Sequence, residues 1–352
     1  MKKQKVRRMA VTYIGILLIM AGMVCYMNYA MSHKYQGGDV FIVKNSDKYF
    51  FVDSNNDPAS KEKYDYIAHQ QDGYFRFCRD KKWGYLDSLL TESIAPEYSS
   101  CGGFANDKAP VFDGKVWKYI NKSNETAIEG DYKWAGEYED KMAIVKKKEG
   151  FLIIDEQGNI LKGPFYACDR IYGGGFLVQK TKQPSKIILD GQLKEMKVGK
   201  QEEPIFLKDG KLGIYYLDNG EKKGKLIDAK SGGILLDHLD DLAISHDNTI
   251  FIKKGEKWTL LDENLQAIGS YDNVIANSYK LFPVMKDGKW GAVNKAGTMQ
   301  IEPKYEEMGP FNGGFASVKS TVSKGGKWGI INESGRKVIP CKYEFAQYAL
   351  EK

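Results

Sequence analysis

Short runs of alternating apolar and polar residues, each closed by an Asp or Asn and then a turn, recur from about residue 40 to the end of the chain. The segments Tyr49-Phe50-Phe51-Val52-Asp53, Trp83-Gly84-Tyr85-Leu86-Asp87, Trp117-Lys118-Tyr119-Ile120-Asn121 and Phe151-Leu152-Ile153-Ile154-Asp155 align with their first residues 34 apart each time. The pattern returns at Trp258, Trp290 and Trp328, at intervals of 32 and 38. Such a period marks a tandem repeat, which has to be recognised before any single element is assigned.

Each copy reads as a strand followed by a tight turn, as in Asp155-Glu156-Gln157-Gly158 and Asn332-Glu333-Ser334-Gly335. The Asx side chain can accept the turn's amides, and glycine takes the left-handed conformation. A second strand with a proline and an aromatic follows, as in Ile94-Ala95-Pro96-Glu97-Tyr98 and Ile301-Glu302-Pro303-Lys304-Tyr305. Proline donates no amide hydrogen bond, so that strand belongs at an edge. A third strand, such as Gly314-Phe315-Ala316-Ser317-Val318, alternates as a half-buried strand should. Units this small cannot bury their own aromatic face and must stack on neighbours. The pattern therefore predicts an all-β domain at 40–352, a tandem array of short three-stranded β-repeats forming either a propeller-like ring or an open curved solenoid. Closure is preferred because it protects strand edges. The repeats degenerate between about 183 and 255, where the tryptophan is missing.

Ahead of the repeats, no charged residue occurs between Arg8 and His33. As a helix rising about 1.5 Å per residue, that stretch reaches roughly 36 Å, enough to cross a bilayer. A basic cytoplasmic segment at 1–8, a transmembrane signal-anchor α-helix at 9–32 and a linker at 33–39 are predicted. The repeat domain is then extracytoplasmic, because basic flanks stay inside. A cleaved signal peptide is the competing reading, but Asn28-Tyr29-Ala30 is a poor cleavage site. Cys25 lacks the small neighbour that a lipoprotein signal requires. The net charge of +6 is carried by this end, on Lys2, Lys3, Lys5, Arg7, Arg8 and Lys34; from Tyr35 onward the charges balance, which argues against a nucleic-acid partner.

Asp287-Gly288-Lys289-Trp290-Gly291, with Ile301, Pro303, Tyr305 and Phe311-Asn312-Gly313-Gly314-Phe315-Ala316 behind it, resembles the WG repeat, also called the KWG repeat; Trp83-Gly84 and Trp328-Gly329 match equally well. The resemblance implies a β-rich repeat found in bacterial proteins, often secreted or membrane-linked. It carries no catalytic residue and implies a scaffold or binding surface.

Candidate chemistry is sparse. Trp83, Trp117, Trp258, Trp290 and Trp328 share one repeat position, as a core residue would, whereas Trp134 stands outside it and is the candidate for an exposed contact. His238, Asp240, Asp241 and His246 form a weak candidate cluster in the degenerate middle, read more simply as a polar loop than as a metal site. Asp53-Ser54-Asn55-Asn56-Asp57 resembles the start of a calcium loop, but Pro58 stands where the loop needs glycine. Cys78, Cys101, Cys168 and Cys341 have no metal-ligand spacing and read as small buried hydrophobes. No nucleophile elbow or phosphate loop occurs. No cofactor, metal or enzymatic activity is expected. The expected role is a non-catalytic binding or interaction scaffold with a protein or cell-wall glycan partner. The alternatives are a structural spacer or assembly partner at the envelope and, third, an envelope hydrolase or metal-binding protein.

Overall fold

The computed structural model describes residues 35–351 apart from 184–185, 198, 200 and 321–325. The anchor expected at 9–32 lies outside the described residues, and among these no helix is long and apolar enough to cross a membrane.

Nine antiparallel sheets follow one another along the chain and close into a nine-bladed β-propeller. Blade 2 is typical: strands Tyr66–Ile67, Phe75–Arg79, Lys82–Leu86 and Glu92–Tyr98 pair in sequence order. Blades 3 to 9 occupy 100–132, 134–165, 167–197, 203–239, 241–271, 273–305 and 307–343, each with four strands. Blade 1 closes the ring from both ends of the domain: Phe345–Tyr348 pairs with Val40–Asn45, which pairs with Lys48–Asp53. Side chains lock the seam, with the Tyr343 hydroxyl donating to Asn56 Oδ1 and the Tyr348 hydroxyl to Asp39 Oδ1, both at 2.8 Å.

The three-stranded unit expected from sequence is therefore corrected to four strands. The repeat read from the sequence starts at a blade's third strand, runs through its fourth and ends on the second strand of the next blade. The strand it omits is a first strand of two residues in blades 2, 3, 4, 8 and 9, such as Ser100–Cys101 or Trp134–Ala135. Two residues are too few to show a period. The degenerate middle is also built of four-stranded blades: Lys186–Leu189 and Glu221–Asp228 are third strands, while the segment from Leu212 belongs to a second strand.

Local chemistry explains the turns. Asp155 Oδ1 accepts the amides of Gln157 and Asn159 at 2.9 and 2.8 Å, and Gly158 is left-handed at φ +84°. Asp53 does the same for Asn55 and Asp57, so the calcium-like stretch is one more such turn.

The Trp-Gly pair is explained by a crossing. After pairing beside the third strand, the fourth strand jumps register and passes over it toward the next blade. A Cβ on Gly84 would lie 2.5 Å from the Ile94 carbonyl oxygen and 2.8 Å from Pro96 N; Gly329 meets the Ile339 carbonyl oxygen at 2.5 Å, and Gly291 faces Ile301 in the same way. None of the three is left-handed, so the glycine is there for space. Blades 3, 4 and 7 carry Lys118, Leu152 and Thr259 at this place. In each of them the crossing strand has a glycine two residues before its final aromatic: Gly130 before Tyr132, Gly163 before Phe165, Gly269 before Tyr271. Pro96, Pro303 and Cys341 stand there in blades 2, 8 and 9. A glycine is thus on one strand or the other at each of these six crossings. Of those on the crossing strand, Gly163 faces the Phe151 carbonyl, whereas Gly130 and Gly269 leave room for the rings of Tyr132 and Tyr271.

The tryptophans sit beside this crossing. Trp290 is buried at 8% exposure, while Trp83, Trp117, Trp258 and Trp328 are half-buried. The deepest position lies two residues further along, where Tyr85, Tyr119, Ile153, Ile188, Leu226, Leu260, Ala292 and Ile330 are all at 0% exposure. The apolar clusters straddle neighbouring blades, as Tyr85, Tyr98, Phe104 and Val111 do between blades 2 and 3.

Cys101 and Cys168 are buried in first strands, at a place held by Ile67, Ala135, Leu242, Val274 and Met308 in other blades. All four described cysteines are free thiols. Burial pushes the thiol of Cys101 up to about 11 and that of Cys168 up to about 12. At pH 8 the thiolate is then about one part in a thousand or less. Native-state alkylation followed by mass spectrometry should leave both unmodified until denaturant is added; rapid native labelling of either would mean that the first strands are not packed as described. For the crossing, Gly84→Lys should cost roughly 2–4 kcal/mol in denaturant unfolding, because the atoms that its Cβ would meet are backbone and cannot rotate aside. A neutral Gly84→Lys would contradict the close approach.

Candidate ligand cavity

Residues just beyond the first strands meet neighbours two blades away. Gln71 of blade 2 donates to Glu137 of blade 4 at 3.1 Å, and the Tyr172 hydroxyl of blade 5 lies 3.2 Å from His246 Nδ1 of blade 7. Contacts that skip a blade place this edge toward the propeller axis.

Here a cavity of about 620 Å³ opens among the first strands of blades 3, 4 and 5, Ser100–Cys101, Trp134–Ala135 and Ala167–Arg170. Glycine keeps its wall bare. A Cβ on Gly102 would lie 2.7 Å from Pro110 Cγ and 2.8 Å from Glu137 Cγ, one on Gly103 would strike the Gln71 carboxamide, and one on Gly136 would sit 2.9 Å from the far edge of the Trp134 indole. All three lie outside the left-handed region, so close approach rather than turn geometry accounts for them. Trp134 consequently lies along its own strand beside Gly136, at 41% exposure. Trp117, stacked on Phe112 with centroids 5.6 Å apart, contributes a second indole to the lining.

The polar groups are held from neighbouring blades. Glu137 Oε1 accepts the Gly103 amide at 2.6 Å and lies 3.5 Å from Arg76 Nη1, while Oε2 accepts from Gln71. Arg76 Nη1 also donates to the Cys101 carbonyl at 3.1 Å. Arg170 donates through Nη2 to the carbonyls of Glu139 (3.0 Å) and Met142, and its Nε lies 3.4 Å from Glu139 Oε2. Burial holds the Arg170 guanidinium below its usual pKa, with Glu139 and Asp140 opposing the shift. Asp169, exposed on the same wall, has no side-chain hydrogen bond or ion pair among the described residues.

Of the residues singled out by sequence, Trp134, Trp117, Cys101 and Cys168 line this cavity; Trp83, Trp258, Trp290 and Trp328 do not. The weak candidate cluster divides among separate partners. His238 lies 3.7 and 3.6 Å from Asp218 and Asp237, whereas Asp240 pairs with Lys223 at 2.8 Å and accepts the Gly255 amide. Asp241 accepts the Tyr215 hydroxyl, and His246 stacks on Tyr279 with centroids 4.3 Å apart. Among the described residues no group of three or more His, Cys, Asp or Glu side chains is placed to hold a metal ion. Sequence reasoning missed Glu137, Arg76 and Arg170, whose partners lie up to 66 residues away. Glycines 102, 103 and 136, outside the turn positions of the repeat, were the available signal.

Four segments, residues 83–117, 119–150, 290–328 and 328–349, match the family model described as WG containing repeat. A search of curated proteins gave no match. Among solved structures, the chain resembles the crystal structure of a eukaryotic initiation factor with a TM-score of 0.60 and 10% identity, over 90% of this chain and 100% of that one. Dihydro-heme d1 dehydrogenase NirN gives a TM-score of 0.42 at 9% identity, over 89% of this chain and 73% of that one. Hsv2 of Kluyveromyces lactis gives 0.36 at 10% identity, over 76% and 96%. At these identities the first likeness speaks to fold alone, and it agrees with the sheets: the chain carries WG-type repeats at four segments and folds as a nine-bladed β-propeller.

Proposed function

We propose that this protein is a membrane-anchored, extracytoplasmic binding scaffold that takes its ligand in the cavity beside Trp134, without catalysing a reaction. The fold by itself does not carry this conclusion. The reading rests on one observation: an exposed indole laid against a wall from which glycine has removed side chains at Gly102 and Gly136. The volume of about 620 Å³ lies within the usual range for small-molecule sites, and aromatic walls with a few fixed polar groups are their common composition. A non-catalytic role is supported by the partners of two of the three lining carboxylates, since Glu137 accepts from Gln71 and Gly103 beside Arg76, and Glu139 is paired with Arg170. The uncharged stretch between Arg8 and His33, with basic residues before it, supports the anchor and the outward orientation.

A soluble form beginning near Gly38, passed over envelope extract and isolated cell-wall glycan, should retain a partner. Trp134→Ala should weaken that retention about tenfold or more while leaving the circular dichroism of the domain unchanged. Retention of nothing at any salt concentration, or retention indifferent to Trp134, would contradict the reading.

A further inference from the structure

The charges around the cavity are unequal once their partners are counted. Glu137 lies beside Arg76 and Glu139 beside Arg170, so each carboxylate has its own guanidinium. The Arg76 guanidinium donates to the Cys101 carbonyl and does not line the cavity, and that of Arg170 is turned onto the carbonyls of Glu139 and Met142, which leaves both poorly placed to greet an anion. Asp169 remains, exposed and without a counter-charge. It stands on the same wall as the indoles of Trp117 and Trp134, whose faces attract cations as well as the apolar faces of ring compounds. Gln71, Glu137 and Glu139 add planar polar ends suited to neighbouring hydroxyls.

We infer that the cavity recognises an amine-bearing saccharide: a sugar ring packed on Trp134, its ammonium group held by Asp169 and the indole faces. This rests on the binding reading above and adds the chemical class of the ligand. A neutral sugar would leave Asp169 without a partner, and an acidic one would meet it unfavourably. A bare cation would leave the apolar length of the Trp134 ring uncovered.

The test is calorimetric titration of the soluble form, at mildly acidic pH, with four probes: a β-1,4-linked glucosamine oligomer, its N-acetylated form, the corresponding glucose oligomer, and choline. The glucosamine oligomer should bind roughly tenfold or more tightly than the other three. Asp169→Asn, at an exposed site that the fold does not need, should erase that preference, and Trp134→Phe should weaken the amine oligomer less than Trp134→Ala does. Equal binding of the three oligomers would overturn the role of charge while leaving the scaffold reading intact. Choline binding as tightly as the amine oligomer would overturn the sugar. No binding by any probe would overturn the inference as a whole, whereas the scaffold reading stands or falls on retention from envelope extract.

Discussion

At the end of each blade the chain must return from the outer strand to the inner strand of the next. At seven of the nine junctions it does so with a single residue of linker after the fourth strand: Tyr98 ends one blade and Ser100 begins the next, and Tyr132 and Trp134 repeat the arrangement. Where the fourth strand crosses the third, the two backbones have no room for a Cβ between them. That steric constraint makes the Trp-Gly pair a signature at Gly84, Gly291 and Gly329 on the third strand, and Gly163 meets it from the crossing strand against the Phe151 carbonyl; Gly130 and Gly269 instead leave room for the rings of Tyr132 and Tyr271 two residues on. The short linkers in turn fix where each first strand lands, and so which residues gather near the axis. Trp134, two residues beyond Tyr132, reaches the cavity through this geometry.

Much of this was legible in the sequence, for physical reasons that can be named. The Asx turns announced themselves because a carboxylate or amide that accepts two amides must sit at a fixed place before a left-handed residue. The third strands were visible because their buried residues repeat every 34 positions or nearly so. The first strands were not, since two residues such as Asn273–Val274 have no period to detect. The tryptophans stand in one register, as expected, but the position at 0% exposure is two residues further on, because the crossing strand rather than the blade interior lies beside the indole.

The candidate site was half legible. Trp134 could be singled out as the tryptophan outside the repeat register. The ion pairs that shape its surroundings could not, because Arg76 and Glu137 are separated by a whole blade and only closure brings them together. Sequence proximity also misled in the middle of the chain. Asp240 and Asp241 are neighbours at the start of a strand, where successive side chains point to opposite faces; one meets Lys223 and the other Tyr215. Their closeness in sequence therefore produced no cluster.

Two kinds of glycine emerge: those that let one strand cross another, and those that leave the cavity wall bare. The distinction is tested by measuring unfolding and glycan retention on the same two soluble variants, Gly291→Ala and Gly136→Ala. The first should lower the unfolding midpoint by several degrees or more and leave retention by the folded fraction intact, whereas the second should displace the Trp134 indole and weaken retention with little change in midpoint. If both variants lost stability alike and Gly136→Ala still retained its partner, the wall glycines would belong to the fold and the cavity would lose its claim to be a built site.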